Sequence, residues 1–83
     1  MKTPRFQELS EIIRNEFRTV FVLDNKTYDV KHSDFYAAET AETEAIFLKH
    51  EYTSQGEDVT VYISEAYLAI NGSIQRGNVI KTI

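Results

Sequence analysis

The side chains that could do chemistry are few and scattered. There are two histidines and no cysteine. His32 and His50 have no other His or Cys at ligand spacing, so neither marks a metal site. His50 alternates with Leu48 and Tyr52, which reads as a half-buried structural histidine. Ser33 and Ser64 lack the Gly-x-Ser-x-Gly surroundings of an activated nucleophile. Gly56, Gly72 and Gly77 are too dispersed to cradle a phosphate. With thirteen acids in the chain some carboxylates must be neighbours, and a solvated face accounts for them. The pattern excludes the familiar catalytic constellations and implies no metal and no cofactor. The expectation is that the protein is not an enzyme.

What remains is a distribution of charge. The net charge is −4, yet residues 1–33 sum to +1, residues 34–65 to −7 and residues 66–83 to +2. No basic stripe is present to neutralise phosphates, so direct nucleic-acid binding is not expected. An acidic middle suits a basic partner protein. Tyr28, Phe35, Tyr36, Phe47, Tyr62 and Tyr67 are more large side chains than one helix face can cover. Together these features point to an apolar pocket rimmed by carboxylates, a protein-binding site.

Eighty-three residues make a single domain, residues 1–83. A chain of this size buries about 60% of its unfolded surface, so its core is thin. Without cysteine, stability rests on the 42% apolar residues. No run approaches the ~18 apolar residues of a membrane span, and the start lacks a signal-peptide core. The expectation is a soluble, cytoplasmic monomer.

The elements that must position these groups follow from spacing. Thr3 reads as a helix cap and Pro4 as the first helical residue. Phe6, Leu9, Ile12, Ile13 and Phe17 recur at helical intervals through about Arg18, with Glu8, Glu11, Arg14 and Asn15 facing water. Thr19–Leu23 is apolar on both faces, as an interior strand is. Asp24-Asn25-Lys26 is turn-like, and Thr27–Lys31 alternates, with Tyr28 and Val30 on one face. Ser33 reads as a second cap for a short helix from Asp34 to about Thr43, with Phe35, Ala38 and Ala41 inward. Ile46–Tyr52 and Val59–Ser64 both show period-two spacing about Thr53–Asp58, with Gly56 at positive φ, which predicts a central antiparallel hairpin. Asn71-Gly72 signals a further hairpin, and Gly77-Asn78 a turn or bulge before a closing strand. The fold class is α+β: an amphipathic N-terminal helix and a short second helix on about five antiparallel strands.

Leu9-Ser10-Glu11-Ile12-Ile13, the strand Val20–Leu23, Ile46-Phe47-Leu48 with Tyr52, the acidic turn before Val59, Ser64-Glu65-Ala66, and Ile80-Lys81-Thr82-Ile83 follow one another along the chain. In these residues the sequence resembles the phage-encoded uracil-DNA glycosylase inhibitors, which are small, acidic and cysteine-free. The resemblance implies a DNA mimic that occupies the DNA-binding site of uracil-DNA glycosylase in the host cell and blocks uracil excision. It places a strand-edge carboxylate near Asp24 and an acidic position at Glu65. It implies a pocket lined by Tyr28, Phe35, Ala38, Leu48, Val61 and Tyr62 that receives a leucine of the enzyme. Glu39, Glu42 and Glu44 lie toward the C-terminal end of the short helix, where the dipole disfavours acids, and Glu39 and Glu42 are further candidate contacts. The alternative reading is an acidic phage or mobile-element protein that antagonises a different defence or DNA-handling protein.

Overall fold

The computed structural model describes residues 4–83, so the cap expected at Thr3 lies outside the described residues. The elements are α1 (Pro4–Glu16), β1 (Phe17–Asp24), β2 (Val30–Ala37), α2 (Ala38–Ser54), β3 (Val59–Leu68) and β4 (Ile74–Thr82). The four strands form one antiparallel sheet in the order β2-β1-β3-β4. The α+β class agrees with the sequence, but the sheet has four strands, not five.

The main difference is α2. The expected strand Ile46–Tyr52 is the second half of a seventeen-residue helix. Ala38–Ser54 contains no Gly or Pro and is rich in Ala and Glu, both strong helix formers. Its apolar residues satisfy two periods at once: Ile46, Leu48 and Tyr52 alternate, while Ala41, Ala45, Leu48 and Tyr52 recur at i, i+4, i+7 and i+11. The helical set wins because it meets the sheet. Ala41 and Ala45 are closed off against Val20, Val22, Val59, Val61 and Ile63, with Tyr36, Leu48, Tyr52 and Ile83 at the margin.

Helix α2 stops at a glycine in the left-handed region. Gly56 has φ +82°, its N–H donates to Thr53 O at 2.9 Å, and Glu57 N–H donates to Tyr52 O at 3.1 Å. These two bonds form a Schellman cap, which satisfies carbonyls that the helix end leaves free.

The short helix expected over Asp34–Thr43 is also displaced. Asp34–Ala37 continues β2, paired residue by residue with β1 from Val22↔His32 to Phe17↔Ala37. Ser33 is therefore a strand residue and caps nothing. Tyr28 is likewise not in a strand; it sits in the β1–β2 turn at φ +63°, with its side chain 75% exposed. The Asn71-Gly72 hairpin is present, and Gly72 has φ +89°. Gly77-Asn78 is a bulge: the β3–β4 register shifts between Ser64 and Ala66.

Helix α1 is less covered than its pattern implies. Among its described apolar side chains only Ile13 is buried; Leu9 and Ile12 are 45% and 43% exposed. The helix runs directly into β1 and touches β3, and β1 pairs with β3 no farther than Arg18↔Glu65. The Arg18 guanidinium donates to Arg14 O and Phe17 O at 3.1 and 2.8 Å, closing the helix end. The molecule is elongated, 50 × 25 × 16 Å.

Candidate protein-binding surface

Alternation along β1 and β3 assigns the expected pocket residues to opposite faces of the sheet. Val61 is fully buried beneath α2, and Leu48 packs at the edge of that core. Tyr62 points the other way and stacks on Phe21, its partner across the strands, with ring centroids 5.0 Å apart. Phe35 shares this second face. It is half exposed and lies edge-on to Phe17 at 5.7 Å. Ala38 opens α2 and borders a cleft of about 280 Å³ with Phe17, Ala37 and Glu39. The six residues therefore do not converge. The space between sheet and second helix, where the leucine pocket was expected, is filled by the Ala41, Ala45 and valine core.

The second face carries features that the sequence reading missed. The Arg76 guanidinium lies 4.4 Å above the Phe21 ring, a cation–π contact stacked in turn on Tyr62. Beside it runs a groove of about 290 Å³ lined by Thr19, Ser33, Asp34, Phe35, Ile74, Gln75 and Arg76.

Asp24 does not project its carboxylate. Its Oδ1 accepts the N–H groups of Lys26 and Thr27 at 2.8 and 3.1 Å, holding the β1–β2 turn. Those two bonds, with Lys31 and Lys26 nearby, hold its pKa below the usual carboxylate value, against some desolvation. Lys31 Nζ lies 3.9 Å from Asp24 and 2.6 Å from Glu57. Asn25 bonds both Asp58 and Thr60, at 2.9 and 2.8 Å. This end of the molecule is a turn-holding network. Glu42 pairs with Lys81 across to β4, and Glu65 lies over Gly77, accepting the Asn78 N–H at 3.4 Å. Glu39 is exposed in the first turn of α2, so the dipole favours it there. Its expected place at a helix C-terminus moved when the helix start moved.

Among the carboxylates without a cation partner, Asp34, Glu44 and Glu51 belong to β2 and to the flank of α2 beside it. Tyr36 OH and His32 Nε2 are 2.9 Å apart, and their rings stack. Desolvation pushes the Tyr36 pKa up, and the charges of Asp34 and Glu44 push it further. Both carboxylates thus border one phenol. Glu51 follows Glu44 by seven residues, about 10.5 Å along the same flank. Asp34, Glu44 and Glu51 have no ion-pair partner among the described residues. The i, i+7 spacing of Glu44 and Glu51 was the signal available in the sequence. Reading Ile46–Tyr52 as a strand hid it.

His50 is exposed on α2 rather than half-buried, because the helix turns it away from the face that carries Leu48 and Tyr52. Among the described residues no three His, Cys, Asp or Glu side chains gather as metal ligands, and no helix is long and apolar enough to cross a membrane. No family model, curated protein or solved structure matches the chain.

Proposed function

We propose that the protein is a non-catalytic binder that sets its acidic flank against the basic, nucleic-acid-binding surface of a DNA-handling protein in the host cytoplasm. The observation that carries this reading is the uncompensated set Asp34, Glu44 and Glu51 along one side of α2. Duplex DNA carries one charge per ~3.4 Å of helix axis on each strand, and Glu44 and Glu51, ~10.5 Å apart along α2, offer a sparser line of the same sign. Helix α2 is fixed to the sheet by its alanine face, so these acids are held in place and need little ordering on binding.

The sequence resemblance names uracil-DNA glycosylase as the first target. The test mixes the protein with the glycosylase and uracil-containing DNA. Loss of excision at stoichiometric protein, restored by the charge reversals Glu44→Lys and Glu51→Lys, supports this target; full excision at several-fold excess removes it.

The filled core favours a second reading of the same kind: a phage or mobile-element antagonist of a different defence or DNA-handling protein. That partner would not need to insert a leucine between sheet and helix. Affinity capture from host lysate, with the Glu44→Lys/Glu51→Lys protein as control, returns such a partner only in the unmodified arm.

A further inference from the structure

In place of the monomer expected from sequence, we propose that a second copy of this chain docks on α1, the two helices packing antiparallel about a two-fold axis between Leu9 and Ile12. The inference is independent of the proposed function. It begins with the exposed stripe of α1. Arg5, Leu9, Ile12 and Glu16 follow one another at i, i+4, i+7 and i+11, the spacing of a single seam along a helix. All four are exposed, while the adjacent Ile13 is the residue that faces the protein's own sheet. The helix therefore has two apolar sides, one used within the chain and one left open.

The open seam is self-complementary. Antiparallel packing about the midpoint of Leu9 and Ile12 sets Leu9 on the partner's Ile12 and Arg5 beside the partner's Glu16, each twice. At that register no charged residue of α1 is level with a like charge: Glu8 is level with Ile13, Glu11 with Ser10 and Arg14 with Gln7. Parallel packing would instead put Arg5 on Arg5 and Glu16 on Glu16. Within one chain Arg5 and Glu16 are about 16.5 Å apart along the helix. Neither has an ion pair or hydrogen bond among the described residues.

The shape of the molecule agrees. Its radius of gyration is 14.3 Å, whereas a compact domain of this length has about 12 Å. Beyond the last β1–β3 pair, the β3–β4 hairpin continues to a tip where Ile70 is 88% exposed and Tyr67 is also open. A second copy on α1 covers Leu9 and Ile12, which a lone chain leaves largely in water. The contact area of one helix pair falls in the small class, below ~1,200 Å², so a dissociation constant on the order of 10 µM is expected.

Sedimentation equilibrium of the full chain from about 5 to 500 µM tests this. The mass should rise from one chain toward two across that range. Ile12→Lys should keep the protein at the mass of one chain throughout, with an unchanged circular dichroism spectrum because the side chain is exposed. Arg5→Glu and Glu16→Arg should each weaken the dimer about tenfold. Mixing those two variants should restore it, since a mixed antiparallel pair regains both attractive contacts. A single-chain mass at every concentration overturns the proposal. So does a dimer that survives Ile12→Lys, or one that mixing the two charge variants fails to restore.

Discussion

Lys31 Nζ stands 2.6 Å from Glu57 Oε1, joining the edge strand β2 to the turn that closes α2. The hydrogen bond that Lys31 donates to Glu57 is the largest cause of its raised pKa. Beside it, the turn N–H groups of Lys26 and Thr27 lower that of Asp24. A raised lysine contributes stability below its unfolded pKa of about 10.4, which is lost as pH climbs through the folded value. A depressed aspartate contributes above its unfolded pKa of about 3.9, and that part is lost as pH falls through the folded value. Thermal melts should therefore show Asp24→Ala and Lys31→Ala destabilised at pH 7. The Asp24→Ala deficit should shrink as pH falls below about 3.9, and the Lys31→Ala deficit should shrink as pH rises past about 10.4. A gap of constant size across pH would remove the electrostatic account.

The alanine face of α2 gives a packing prediction. Ala45 has no exposed surface and lies over the valines of β1 and β3. Ala45→Leu forces extra methylenes into that contact and should cost ~1–3 kcal/mol in urea denaturation. Phe47, two residues on, projects into water, and Phe47→Ser should stay within about 0.5 kcal/mol. A neutral Ala45→Leu would mean that space remains between helix and sheet.

Gly56 tests the helix stop. An added Cβ meets nothing within 4 Å there, so only the backbone conformation opposes a side chain. Gly56→Ala should destabilise by ~1–2 kcal/mol, the left-handed penalty for an L-residue. Gly77 differs, because its added Cβ would come 3.0 Å from Glu65 Cβ. Gly77→Ala should cost more than Gly56→Ala, and shortening Glu65 to alanine in the same chain should not remove that cost, because the Cβ in contact stays.

Where the sequence was legible, one period stood alone. Thr19–Leu23 is apolar on both faces and became an interior strand, and Asn71-Gly72 became the hairpin turn it signals. Residues 34–52 were misread because two periods coincide there and local composition did not separate them. Tyr36 and Phe35 have strand partners on β1 that no local pattern reveals, and Ala45 shows its role only when the sheet lies beneath it. That error re-aimed Phe35 and Leu48, while Val61 and Tyr62 lie on opposite faces by strand alternation and Tyr28 sits in the β1–β2 turn. The acidity of residues 34–65 survived this, as regional charge does not depend on secondary structure.

The acidic flank yields the final prediction. Asp34 and Glu44 press on the Tyr36 phenol, so Glu44→Gln should lower the Tyr36 pKa, read by ultraviolet titration of the phenolate. The same substitution should leave stability nearly unchanged, since Glu44 has no ion-pair partner among the described residues. Against a basic partner, Glu44→Gln and Glu51→Gln should each weaken binding several-fold, and raising salt from 50 to 500 mM should weaken it further. In the doubly substituted protein the slope of affinity with salt should be shallower, because two fewer charges are screened. Binding that ignores both salt and these two glutamates would place the contact on the Phe21, Phe35 and Tyr62 face instead. The Phe35→Ala and Tyr62→Asp proteins, which change that face and leave the flank intact, separate the two surfaces.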